Sequence, residues 1–261
     1  MTMPEQDGFH AGGGHVPVGD ARIWCARRGP PDAPVLLLLH GGFGSFADFA
    51  RLIPLLTELQ LVGVDSRGHG ASTMGSARLS YARLAADVEA VCAALGIARC
   101  HILGYSDGGI VGLRLAAAGW PRLGRLATVG ATWRMLPDDP IRDVVARITP
   151  EGSRESDPVG YATYQRFNPE PDFAALVAAV RGLWLDGGDA GYPGESVRDI
   201  RVPVLFVRGD GDPFISRGEQ AELSDRVAGS RLLNLPFASH DAHATEPEAV
   251  AAALLRLLAA A

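Results

Sequence analysis

The 261-residue sequence contains no lysine, so all 24 of its basic side chains are arginine. That absence excludes chemistry needing an ε-amino group: a Schiff-base enzyme, a Ser–Lys dyad, or a phosphate loop ending in Gly-Lys. Cysteine is also scarce. Cys25, Cys92 and Cys100 are an odd number without CxxC or Cys/His metal spacing, so buried free thiols in a reducing compartment are expected. No apolar run approaches the roughly 20 residues that span a bilayer. Residues 1–14 are polar and glycine-rich, lacking the basic and apolar stretches of a secretory leader. A flexible tail over 1–14, no membrane partner and a cytoplasmic location are the corresponding expectations. The net charge of −6 is modest and spread along the chain, with no arginine stripe that would suit nucleic acid.

What is present fits one large α/β domain, with 47% hydrophobic and 21% charged residues. A short apolar run, a glycine-bearing turn and a helix-like stretch recur in that order. Residues 15–18 and 21–26 flank Gly19-Asp20 and read as a hairpin. The run VLLLL at 35–39 reads as a strand buried on both faces. A helix is expected over 46–59 despite Pro54, then a strand at 61–64 and a helix over 79–95 closed by Gly96. Strands at 101–103, 126–129, 202–207 and 232–235 alternate with helices over 108–118, 219–227 and 247–260. Such alternation predicts βαβ units and a mostly parallel sheet. Residues 133–200 break the rhythm and are too long for an ordinary connection. They read as a helical cap, with 15–132 and 201–261 as the core domain.

The strongest chemical signal is Gly104-Tyr105-Ser106-Asp107-Gly108-Gly109, between a predicted strand and a predicted helix. That is the context of a G-x-S-x-G nucleophile elbow, where a strained turn exposes the serine and the helix start faces a developing oxyanion. A serine hydroxyl needs a base. His10 and His15 lie near the start, His101 opens a strand, and His40 and His69 sit in glycine-rich turns. His240 and His243 follow the last strand, at the sheet edge where the elbow belongs. Gly209-Asp210-Gly211-Asp212 follows the strand before and offers two acids to orient the imidazole. His40-Gly41-Gly42-Phe43-Gly44-Ser45 closes VLLLL and can bring a backbone N–H to the reacting oxygen. Asp65 and Arg67, in a polar turn, read as ties between loops.

Taken together, HGGFGS, DSRGHGAS, GYSDGG, GDGDP and SHDAH resemble the α/β-hydrolase family in their order, over nearly the whole chain from about residue 20. The resemblance implies an eight-stranded, mostly parallel sheet with a helical cap between the sixth and seventh strands. It implies Ser106 as nucleophile, Asp212 as acid and His240 as base, with Ser239 where the family usually has glycine. It places the oxyanion donors at the backbone N–H groups of Gly42 and Asp107, and it requires no cofactor or metal. GYSDGG is also similar to the GWSDGG elbow of valacyclovir-hydrolase-like enzymes, which implies that the Asp107 side chain selects substrates carrying an amino group; pairing with an arginine of the cap or a loop is the alternative. Phe43, Trp133 and Trp184 join Asp107 as expected substrate contacts. The implied activity is cleavage of a small-molecule ester, lactone or thioester through an acyl-enzyme. Carbon–carbon bond hydrolysis, amide or imino-peptide cleavage, perhydrolysis and a non-catalytic ligand-binding role share the fold.

Overall fold

The computed structural model describes Phe9 and residues 12–259. His10 and most of the segment expected to be a tail lie outside the described residues. Eight strands form one sheet in the order β1-β2-β4-β3-β5-β6-β7-β8. They are β1 (Gly14–Val18), β2 (Ala21–Arg28), β3 (Val35–Leu39), β4 (Gln60–Val64), β5 (Cys100–Tyr105), β6 (Leu123–Val129), β7 (Val204–Gly209) and β8 (Arg231–Leu235). β1 pairs antiparallel with β2 and β2 antiparallel with β4, whereas every pairing from β4 to β8 is parallel. The eight-stranded, mostly parallel sheet matches the sequence-based expectation.

The pleat explains the continuous apolar strands. Leu37 and Leu39 join the core on one face of β3, and Leu36 and Leu38 join the core on the other. On the first face pack α1 (Tyr81–Ala94) and α2 (Asp107–Ala117), bringing Val88, Val91, Val111 and Leu115. Four helices lie between β6 and β7: α3 (Ile141–Ala146), α4 (Pro150–Ser156), α5 (Pro158–Phe167) and α6 (Phe173–Trp184). Tyr164 of α5 and Leu176, Val180 and Leu183 of α6 join the same core, so this segment is packed onto the body of the protein. The chain continues through α7 (Arg217–Arg226), the short α8 (Ala242–Thr245) and α9 (Pro247–Ala259), whose Val250 and Leu254 fill the second face.

The expected helix over 46–59 is instead two 3₁₀ turns, Phe46–Phe49 and Ile53–Leu55. Two causes are visible. Pro54 lacks the N–H that a continuing α-helix requires, and Phe46, Phe49 and Leu52 are buried at a spacing of three, the 3₁₀ repeat. Ser45 and Asp48 cap the first turn reciprocally, fixing its start directly after the glycine loop.

Asp65 and Arg67 tie loops together, as their turn suggested. Asp65 accepts the N–H groups of Phe46 and Ala71 at 2.7 and 2.8 Å. Buried Arg67 donates to both Asp87 oxygens at 2.9 and 2.7 Å and to Asp20 at 3.2 Å. This joins α1 to the β1–β2 turn and the loop after β4. All three cysteines are buried and free. Among the described residues no helix is long and apolar enough to cross a membrane.

Candidate active site

The crossover from β3 runs outward to β4, and the next one, from β4, passes back over β3 to β5; this reversal opens a crevice at the carboxyl ends of these strands. Both glycine motifs sit there. Ser106 follows β5 with φ 49° and ψ −115°, a left-handed value that a non-glycine residue adopts only under constraint. The constraint is a set of backbone bonds: Ser106 N–H donates to Val129 O at 2.8 Å and Gly108 N–H to His40 O at 3.0 Å. Ile110 N–H donates back to Ser106 O at 3.1 Å, so α2 begins directly beyond the serine. The elbow is thus clamped between β6 and the loop after β3.

Ser106 Oγ lies 3.0 Å from His240 Nε2, and His240 Nδ1 lies 2.8 Å from Asp212 Oδ2. An ionised carboxylate only accepts, so the Asp212 contact puts the imidazole proton on Nδ1 and leaves Nε2 to accept from the serine. The Asp212 side chain is fully buried. Burial pushes its carboxyl upward, but the hydrogen bond and charge of His240 and the N–H groups of Ile215 and Phe214 outweigh it and hold the group below its ordinary value. Those two N–H groups reach the other oxygen, Oδ1, at 3.0 and 2.8 Å. The His240 ring rests between Tyr105, 5.3 Å away, and Phe214, 4.8 Å away and edge-on. Gly130 completes its seat, since a Cβ there would come within 2.8 Å of the ring.

The two alternatives left by spacing are separated by geometry. Asp210 pairs with Arg217 and Asn234, and Arg217 first of all holds its carboxyl down at about 2. His243 is buried between Tyr105 at 4.3 Å and Phe49 at 5.2 Å, and burial lowers it to about 4. Its ring supports the elbow residue Tyr105 from behind.

Opposite His240, Gly42 faces the N-terminus of α2. Asp107 is the first residue of that helix, so its N–H has no intrahelical acceptor. Gly42 has no room for a side chain: a Cβ would meet Trp184 Cζ2 at 2.4 Å and Asp107 Oδ2 at 3.0 Å. The Asp107 side chain is buried and pairs with no arginine. Its Oδ1 accepts from Tyr81 Oη at 2.7 Å, and Trp184 Nε1 donates across both oxygens at 2.8 and 2.9 Å. Burial raises its carboxyl, with Tyr81 and Trp184 pulling it partly back. Tyr192 extends the network by donating to Trp184 O at 3.0 Å.

A cavity of about 300 Å³ holds Ser106, Asp107, Gly42, His240 and Trp184 in its wall. Apolar side chains from the helical segment close it, among them Met135, Ile141, Val145 and Ile148. Two expected substrate contacts are corrected. Trp133 is fully buried, with Arg134 and Arg226 stacked on it at 4.5 and 5.3 Å, and it does not line this cavity. A tryptophan directly after a core strand is claimed by packing and by flanking guanidinium groups. Phe43, at φ 61°, packs on Trp184 at 5.5 Å and lines two neighbouring cavities instead of this one. Sequence reasoning missed Tyr81, Tyr192, Phe214 and Glu219, which also line the cavity. For Phe214 a signal existed: it follows the acid motif by two residues. Tyr81 and Tyr192 belong to no motif. Among the described residues no group of three or more His, Cys, Asp or Glu side chains could hold a metal ion.

A family model described as alpha/beta hydrolase fold matches residues 34–148. The chain is 36% identical over 101 residues to the magnesium-chelatase 30 kDa subunit of Rhodobacter capsulatus, covering 38% of this chain and 36% of that protein. Four curated relatives at 36–38% identity are matched over only 30–47% of their own length. Esterase YbfF of Escherichia coli is 24% identical over 91% of this chain and 97% of its own. A solved hydrolase structure from Pseudomonas aeruginosa PA01 superposes with a TM-score of 0.73 at 25% identity, covering 96% of this chain and 99% of that one. With its eight-stranded sheet, its motifs in order and this end-to-end likeness, the chain has the α/β-hydrolase fold.

Proposed function

We propose that the chain is a serine hydrolase cleaving a small-molecule carboxylic ester through an acyl-enzyme on Ser106. The observation that carries this reading is the unbroken line from Ser106 Oγ through His240 to buried Asp212, at 3.0 and 2.8 Å. His240 Nε2 takes the serine proton as Oγ attacks the acyl carbon, and Asp212 stabilises the imidazolium. The N–H groups of Gly42 and Asp107 hold the oxyanion, each such donor contributing about 3 kcal/mol to the transition state. Collapse breaks the bond to the leaving oxygen, which takes the proton back from His240. Water, deprotonated by the same nitrogen, then releases the acid and restores Ser106. No step needs a metal or organic cofactor. Likeness to an esterase over nearly its full length supports the ester as the bond cleaved. On this reading residues 133–200 form a cap that sets the substrate's shape over a core of 15–132 and 201–261.

The test is fluorophosphonate labelling and p-nitrophenyl acetate turnover. Wild type labels and Ser106→Ala does not, while His240→Ala loses turnover and Asp212→Asn loses about four orders of magnitude in kcat. Equal labelling of wild type and Ser106→Ala overturns the assignment.

A further inference from the structure

Three carboxylates and one guanidinium line the cavity at Ser106: Asp107, Asp139, Glu219 and Arg134. They are not equally available to a ligand. Asp107 is engaged by Tyr81 and Trp184. Arg134 donates to Glu222 at 2.6 Å and lies over the Trp133 ring, so its charge is already compensated. Glu219 is half-buried and accepts a hydrogen bond from the neutral Thr132 hydroxyl. Burial raises its carboxyl, Thr132 draws it partly down, and nearby Asp139 adds to the rise. Asp139 Oδ1 accepts the N–H of Ile141, again a neutral donor. Arg142 flanks Tyr192 without lining the cavity. Arg134, already paired with Glu222, also draws Glu219 down, so the three carboxylates of this wall share one guanidinium.

Their place relative to the serine decides which part of a substrate meets them. Asp107 Oδ2 lies at the Gly42 corner, 3.0 Å from where a Gly42 Cβ would stand. Glu219 is tied to Thr132, two residues beyond Gly130, and Gly130 abuts the His240 ring. The leaving oxygen must come within hydrogen-bond reach of His240 Nε2 to collect its proton. Whatever is attached to that oxygen is drawn along the His240 side, where Glu219 and the Phe214 ring also line the cavity. A carboxylate beside an aromatic ring suits an ammonium group, by charge attraction and by the ring's negative face.

We propose that the leaving group is a cationic amino alcohol, recognised by Glu219 and Asp139 in the cavity whose wall Phe214 forms next to His240. This rests on the acyl-enzyme reading above. When the tetrahedral adduct collapses, the carbon–oxygen bond breaks, the leaving oxygen takes the proton from His240, and the acyl group stays on Ser106 Oγ. The alcohol departs neutral at oxygen with its ammonium unchanged.

The experiment compares kcat/KM for choline acetate and for 3,3-dimethylbutyl acetate, its uncharged isostere, read as a ratio. The expected wild-type ratio favours the cation by about 10-fold or more, and falls severalfold in Glu219→Gln and in Asp139→Asn, which keep the local acceptors. Glu248→Gln, an exposed change on α9, leaves the ratio where it was. Fluorophosphonate labelling of each variant shows that the serine is still active. A wild-type ratio of one or less, or a ratio unmoved by both cavity variants, overturns the proposal. Labelling without hydrolysis of either ester also overturns it, whereas loss of labelling in wild type removes the hydrolase reading itself.

Discussion

Replacing Asp107 by alanine tests whether its side chain serves as an internal fastening. In the folded protein it accepts one hydrogen bond from Tyr81 and a forked one from Trp184, at 2.7 to 2.9 Å. Tyr81 is fully buried, so the lost acceptor there is not replaced by bulk solvent. Each buried donor left unpaired costs about 1–3 kcal/mol. Two donors give about 2–6 kcal/mol, from which the relief of no longer burying a carboxylate must be subtracted. The expected net loss is about 2 kcal/mol, or roughly 4 °C in Tm for a chain of this size. Asp107→Asn retains one acceptor oxygen within reach of both donors and loses less than half as much. Urea unfolding followed by tryptophan fluorescence measures both, provided the slope with denaturant stays constant. The decisive comparison adds Tyr81→Phe to each background. Alone it removes a satisfied bond and destabilises; beside Asp107→Ala it removes an orphaned hydroxyl and is neutral or stabilising. If Tyr81→Phe costs the same in both backgrounds, the fastening does not exist.

Two further outcomes follow from buried or strained groups. His243 is lowered to about 4 by burial, so between pH 6.5 and 4 the unfolded chain binds a proton that the fold refuses. Stability from this group is complete above pH 6.5 and lost on acidification at about 1.4 kcal/mol per pH unit. His243→Phe therefore shows a shallower acid loss than wild type in denaturation at stepped pH, and parallel curves would sink the explanation. Phe237 is fully exposed at φ 66°. Phe237→Asn relieves a left-handed strain of about 1 kcal/mol, and a lower denaturation midpoint contradicts this.

Much of the sheet could be read from the chain because its strands are buried on both faces. Continuous runs such as VLLLL have no other use at that length. The 46–59 segment misled for a physical reason: its buried residues recur every three positions, a 3₁₀ repeat that resembles α-helical spacing, and Pro54 breaks the run. Of the site, the parts carried by ordered motifs converge in space, because a nucleophile elbow and its partners occupy fixed strand ends. The side chains shaping the cavity were less accessible to sequence reasoning. Tyr81 reaches Asp107, and Tyr192 the carbonyl of its partner Trp184, from elements far apart in the chain, and Glu219 lies on a helix whose polar face carries no recognisable pattern. Trp133 shows the converse error: position suggested a ligand contact, and packing took the side chain instead.

The separation between Ser106 and its partners has a kinetic side. Ser106 stands 134 residues from His240, on a central strand, whereas His240 and Asp212 are only 28 apart and follow the two strands at one edge of the sheet. A folding chain can form the β3–β5 crevice, with its strained serine, before β7 and β8 have docked. Until they do, the hydroxyl has no base and is chemically quiet. Under the proposed role, the reactive alcohol is armed only by completion of the sheet, so a partly folded chain carries no loose acylating centre.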